Sequence, residues 1–186
     1  MNTKTLCLAV LHFGEKSGYD IKKLCSEGFF KHFVEVSLAS IYPTLSKLED
    51  EGLVSARVEH QDGKPSRKIY ALNPSGHKVL HDQLSEGPGP DKHISEFLLL
   101  MKCCHLLAPE KVSQLIDERL AYYTREIETL DACIEEYGSE EMPAGSQFVL
   151  GYGRTIYNAV YDYVSQNRAL LEEAAGSGLS FSDAAE

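Results

Sequence analysis

The apolar positions of the first fifty residues fall at helical spacing. Leu6, Val10 and Leu11 form one stripe, and Gly14 follows it where a left-handed C-terminal residue is expected. Ser17 stands where it can cap a second helix, whose apolar face is Ile21, Leu24 and Cys25. A third helix carries Ile41, Leu45 and Leu48 and stops at Gly52. Pro43 is tolerated in a first turn, which places the start of that helix near Ser40. The period then switches to two. Val54, Ala56 and Val58 alternate with Ser55, Arg57 and Glu59, and Lys68 to Leu72 make a returning strand. Asp62-Gly63 between them supplies a hairpin turn, and Asn73-Pro74-Ser75 opens a fourth helix.

Beyond Ser85 the pattern breaks at Glu86-Gly87-Pro88-Gly89-Pro90-Asp91, where alternating glycine and proline continue neither a helix nor a ladder. Ile94 to Leu107 is so apolar, with Phe97, Leu98, Leu99, Leu100 and Met101 in succession, that it is expected to be covered on nearly all sides. Pro109 starts a long helix in which Ile116, Leu120, Tyr123, Ile127, Leu130, Ile134 and Tyr137 step alternately by four and three. That heptad seam has two readings: a helix pairing between two subunits, or a helical hairpin within one chain. After a break from Gly138 to Gly145, a last helix near Ser146 to Ala174 carries Phe148, Tyr152, Ile156, Tyr157, Val160, Tyr161 and Val164. The expected fold is mainly α with a small β-hairpin wing. Its parts are a winged domain at 1–85, a linker at 86–92, an α-helical dimerisation domain at 93–175 and a disordered tail at 176–186.

A net charge of −10 at first argues against a nucleic-acid partner. Its distribution reverses that. Through Ser85 there are 11 Lys and Arg against 10 Asp and Glu, and from Glu86 onward 7 against 18. Phosphate binding needs only a locally basic face, so a near-neutral first half and an acidic second half suggest divided work. No apolar run of roughly 18 residues occurs and no cleavage pattern follows Met1, so the chain is expected to be soluble, unprocessed and cytoplasmic. The five cysteines lack CxxC spacing and read as small buried side chains in a reducing compartment. No Gly-rich phosphate loop, HExxH or nucleophile elbow occurs, so no enzyme is expected, and no metal or other cofactor.

Three short helices followed by a hairpin with a basic tip is the order of a winged helix-turn-helix. Its third helix enters the major groove, about 12 Å wide, and its hairpin lies on the flanking backbone. Ser40, Pro43, Thr44 and Lys47 lie opposite the apolar stripe of helix three, with Ser40 at its start a candidate DNA contact, and the wing carries Lys64, Arg67 and Lys68. Glu49-Asp50-Glu51 is expected at the far end of the helix, away from DNA. Three stretches then carry a specific resemblance: Gly18-Tyr19-Asp20-Ile21; Ser40-Ile41-Tyr42-Pro43-Thr44-Leu45 through Leu48-Glu49-Asp50-Glu51-Gly52-Leu53-Val54; and Gly63-Lys64-Pro65-Ser66-Arg67-Lys68-Ile69-Tyr70-Ala71-Leu72 with Asn73-Pro74-Ser75-Gly76. The sequence resembles the PadR-like transcriptional regulators over most of residues 5–84. The resemblance implies a dimeric regulator, usually a repressor, with DNA contact at Tyr42, Thr44, Lys47, Lys64, Arg67 and Lys68. Tyr70 is read either as a further contact or as core beneath the wing.

Seven of the ten tyrosines lie between Tyr122 and Tyr163. Tyr152, Tyr157 and Tyr161 form a candidate pocket for a small aromatic effector, with interface packing as the competing reading. There is no tryptophan, which excludes a ligand held between paired indoles. The expected function is that of a dimeric, sequence-specific binder of double-stranded operator DNA, acting as a repressor released by a small molecule. The alternative is a winged-helix protein-interaction module with acidic docking helices.

Overall fold

The structure is a computed structural model and describes residues 2–26, 30, 37–61, 64–91, 94–137 and 142–178, with the backbone alone at 61, 64, 65 and 137. The chain forms two compact units, Met1–Lys92 and His93–Glu186. The expected Asp62-Gly63 turn, part of the break after Tyr137, and the tail from 179 lie outside the described residues.

The first unit contains α1 (Thr3–His12), β1 (Lys16–Ser17), α2 (Gly18–Ser26), α3 (Ile41–Asp50), β2 (Val54–Gln61), β3 (Lys64–Leu72) and α4 (Pro74–Ser85), with a 3-10 turn at Leu38–Ser40 leading into α3. The helices have defined starts. The Asn2 side chain accepts from the Thr5 amide at 3.0 Å and caps α1. Ser17 caps α2 in a reciprocal box: its Oγ accepts from the Asp20 amide at 3.1 Å, while the Asp20 carboxylate accepts from the Ser17 amide at 3.2 Å. Replacing Asp20 with alanine removes one half of the box. The expected loss is about 1 kcal/mol, or a fall in melting temperature of about 4–8 °C for a unit of this size, read by circular dichroism on the full chain.

The end of α3 closes more elaborately. Gly52, at φ +67°, follows the helix; its amide donates to the Glu49 carbonyl and the Leu53 amide to the Leu48 carbonyl, both at 2.9 Å. This is a Schellman closure, with Leu48 and Leu53 both buried beside it. The Gly52 carbonyl then accepts from Asn73 Nδ2 at 3.2 Å and Ser75 Oγ at 2.8 Å, and the Leu53 carbonyl accepts from the Asn73 amide at 3.0 Å. The end of α3 thereby also fixes the start of α4. Gly76 lies against it so closely that an added Cβ would sit 2.2 Å from the Leu53 carbonyl oxygen.

The sheet has the order β1-β3-β2 and is antiparallel throughout. In the hairpin Ala56 faces Tyr70, Val58 faces Lys68 and Glu59 faces Arg67. Residues opposite one another share a face, so Arg67 and Lys68 point to opposite faces of the wing. The β1 strand carries no period-two signal because it is two residues long; it is visible only through its pairing of Lys16 with Tyr70 and Ser17 with Ile69. The core joins Leu6, Leu8 and Val10 of α1 to Ile21 of α2, Ile41, Leu45 and Leu48 of α3, Val54 and Tyr70 of the sheet, and Leu80 of α4.

The second unit is helical: α5 (Glu96–Lys102), a 3-10 turn at Cys104–Leu106, α6 (Pro109–Tyr137), α7 (Ala144–Gln166) and α8 (Arg168–Ala174). Its core gathers Phe97, Met101, Cys104, Val112, Ile116, Val164 and Ala175. Two expectations change here. The last helix breaks at Asn167, whose side chain donates to the Tyr163 carbonyl, and Arg168 then reaches Asp117 of α6 and Glu172 of α8. The apolar run from Ile94 is not covered all round: Phe97 and Met101 are buried, while Ile94, Leu98, Leu99 and Leu100 are exposed in the single chain. Among the described residues no helix is long and apolar enough to cross a membrane.

Candidate nucleic-acid interface

The start of α3 is built from committed groups. Ser40 Oγ donates to the Ser37 carbonyl at 2.6 Å and lies 3.0 Å from Thr3 Oγ1, so it ties α3 to α1 and is occupied within the unit. Pro43 falls in the first turn, where no amide partner is required. Ile41, Leu45 and Leu48 turn inward, leaving Tyr42, Thr44 and Lys47 on the outer side. Tyr42 is half exposed. Its ring rests on Gly18 at the start of α2, where a Cβ would lie 2.6 Å from Tyr42 Cε1.

The wing supplies charge. Lys68 Nζ bonds Glu49 Oε2 of α3 at 2.5 Å and stands 5.4 Å from the centre of the Tyr70 ring. The hydrogen bond to Glu49 raises the Lys68 pKa from its ordinary value. Tyr70 is buried in the core, which raises its phenol pKa, so it packs beneath the wing. Arg67 Nε bonds Glu59 Oε2, its cross-strand neighbour, at 2.7 Å. Lys47 stands 3.8 Å from Glu51, whose carboxylate is held more tightly by Lys4 at 2.6 Å and whose pKa is lowered by that bond. The Lys64 side chain lies outside the described residues.

This geometry revises the expected position of the acidic run. Glu49 sits at the end of α3 and yet reaches the wing, so it belongs to the candidate surface. Neither carboxylate was legible from spacing: Glu59 meets Arg67 only through a register shift between Glu59 and Gln61, and Glu49 reaches Lys68 only through the tertiary packing of β3 against α3.

In the second unit part of the heptad seam packs within its own chain. Ile116 is fully buried in the core, Leu120 and Tyr123 pack against that core, and Leu130 is buried where α6 meets Gly153 of α7. Ile127 and Ile134 are half-buried, and the Tyr137 side chain lies outside the described residues. The larger exposed apolar faces are Leu98 and Leu99 on α5 and the row Phe148, Tyr152, Ile156 and Tyr163 on α7. The three candidate pocket tyrosines do not share one aromatic cluster. Tyr157 meets Tyr122 and Tyr123, with ring centres 6.2 and 6.1 Å away, whereas Tyr152 stacks on Phe148. Burial, reinforced by the Tyr122 hydroxyl, raises the Tyr157 pKa. An open depression of about 290 Å³ lies instead beside Phe97, Leu115, Arg119 and Tyr122.

A three-helix core with an antiparallel wing and an outward-facing third helix defines the first unit as a winged helix-turn-helix. Residues 7–82 match the Transcriptional regulator PadR-like family. The chain is 32% identical over 141 residues to the Negative transcriptional regulator PadR of Bacillus subtilis (strain 168), spanning 75% of this chain and 77% of that protein. Among solved structures, smu.1604c from Streptococcus mutans UA159 matches with a TM-score of 0.80 at 28% identity, over 91% of this chain and 99% of that one. Bacillus subtilis PadR in complex with operator DNA matches with a TM-score of 0.71 at 29% identity, over 90% and 98%. The same protein in complex with p-coumaric acid gives 0.66 at 28%, over 91% and 98%. The chain belongs to the PadR-like family of transcriptional regulators, and is a DNA-binding regulator rather than an enzyme.

Proposed function

We propose that the chain is a dimeric, sequence-specific repressor that reads operator DNA with α3 and grips the flanking backbone with its wing. The observation that carries this reading is the outer side of α3, bearing Tyr42, Thr44 and Lys47, in the same unit as the wing cations Arg67 and Lys68. Lys64 joins them on sequence grounds; Ser40 serves as a strut. The operator-DNA complex of the Bacillus subtilis relative supports the partner, and that relative's negative regulation supports the sign. A two-fold pair would set two α3 helices about 34 Å apart on successive major-groove faces.

The exposed apolar faces of α5 and α7, together with the residues of the α6 seam not committed within the chain, are the proposed two-fold contact. Release by a small aromatic effector is supported by the relative's p-coumaric acid complex, and the cluster of Tyr157, Tyr122 and Tyr123 offers an aromatic surface for it. Such a ligand acts by preferring one spacing of the paired winged helices over another.

The test is recovery of genomic fragments by the purified protein, followed by anisotropy titration of the best fragment against mixed-sequence duplex. Preference of at least about 10³-fold at physiological salt is expected. Arg67→Ala and Lys68→Ala should each weaken binding by roughly threefold to tenfold, with a shallower salt dependence. No preference over mixed sequence would remove the reading, and indifference to both alanine variants would favour a protein-docking module.

A further inference from the structure

Each cation of the candidate surface whose side chain is described already faces a carboxylate. Lys68 is on Glu49 at 2.5 Å, Arg67 on Glu59 at 2.7 Å and Lys47 near Glu51 at 3.8 Å. In the first two the pair is only partly exposed, with side-chain exposures of 46% and 33% for Lys68 and Glu49, and 45% and 38% for Arg67 and Glu59. A DNA phosphate approaching the wing therefore meets cations that hold an anion already.

We propose that Glu49 and Glu59 are internal competitors for phosphate, which Lys68 and Arg67 must leave when the wing docks, and that these two carboxylates set the protein's affinity for the DNA backbone. The inference rests on the wing being the DNA-contacting element. The two pairs come from different parts of the fold. Glu59 is the cross-strand neighbour of Arg67, and Glu49 lies in the last turn of α3, so they act on opposite faces of the wing. The exchange is a swap of partners: an N–H donor leaves a carboxylate oxygen and meets a phosphate oxygen, while water and salt take up the released carboxylate. Non-specific binding rests almost wholly on such backbone contacts, so it carries the full effect of the competition. An exposed ion pair contributes little to folding. Removing the carboxylate should therefore change binding while leaving the fold almost unaltered.

The experiment is fluorescence anisotropy of the full-length protein on a mixed-sequence DNA duplex, over a range of salt. Glu49→Gln and Glu59→Gln keep side-chain size and a hydrogen-bond acceptor. Each is expected to raise affinity about twofold to fivefold, the exchange scale of an exposed ion pair, and the gain should shrink as salt rises. Asp82→Asn on α4 changes net charge equally at a carboxylate that bonds none of these cations, and is expected to change affinity far less. Lys68→Ala and Arg67→Ala are measured alongside. If they weaken binding but both glutamine variants leave it unchanged or weaker, the competition is overturned and the wing reading stands. An equal gain from Asp82→Asn also overturns it, as general charge. If neither alanine variant weakens binding, both the wing reading and the competition fall.

Discussion

Replacing Gly76 with alanine is expected to lower the melting temperature of the winged unit by about 12–24 °C. Alanine ordinarily improves a helix by up to about 1 kcal/mol over glycine, so the sign itself is the test. At this position an added Cβ meets the Leu53 carbonyl oxygen at 2.2 Å and Leu72 Cδ1 at 2.6 Å. The leucine tip can rotate away; the carbonyl cannot. It belongs to the turn that accepts the Asn73 amide and continues into β2. Relief requires α4 to lift from the α3–β2 junction, breaking the bonds from Asn73 and Ser75 to Gly52 and loosening Leu80 in the core. Overpacking of this kind costs about 3 kcal/mol at its upper range, and roughly 4–8 °C accompanies each kcal/mol in a unit this small. Calorimetry of the full chain reads it. A shift under about 3 °C would show that α4 moves aside freely.

Gly18→Ala is expected to behave in the opposite way, leaving stability nearly unchanged and weakening operator binding by about tenfold. Here the added Cβ meets Tyr42 Cε1 at 2.6 Å and Cδ1 at 3.1 Å, on a half-exposed ring, while the buried Leu45 Cδ1 lies at 3.4 Å, in ordinary contact. Tyr42 would leave its seat rather than force α2 from α3. The energy lost is that of one positioned contact, about 1.5 kcal/mol if its hydroxyl meets a phosphate, which is close to tenfold in affinity. The reading fails if operator affinity is unchanged in a folded Gly18→Ala protein, or if affinity falls only in step with the melting temperature. Measuring mixed-sequence duplex beside operator distinguishes a base-reading tyrosine from one that only grips the backbone.

Periodicity was enough to place the helices and hairpin of the first unit, because each buries one face against a common core. Ile41, Leu45 and Leu48 announce α3 by spacing, and Ser17 announces the start of α2 by chemistry. Features that depend on partners far along the chain were not legible. The β1 strand exists only by pairing with β3, and the ion pair of Glu49 with Lys68 spans the α3–β2 turn, β2 and the first half of β3. The second unit was harder for a related reason. A heptad seam looks the same whether its partner is another copy or the next helix, and Ile116 and Leu130 take the latter. The run from Ile94 to Leu107 misled in the other direction: hydrophobicity says that a surface wants cover, but not that the same chain supplies it.

The closure at Gly52 carries a consequence for redesign. The end of α3, the residue before β2 and the start of α4 are located by main-chain carbonyls, at Lys47, Leu48, Glu49, Gly52 and Leu53, and not by the outer side chains of α3. The side chains of Tyr42 and Thr44 make none of these bonds, and that of Lys47 adds only a 3.8 Å approach to Glu51. Their identities can therefore be exchanged as a set, rewriting what the helix recognises, while the scaffold that aims it keeps its geometry.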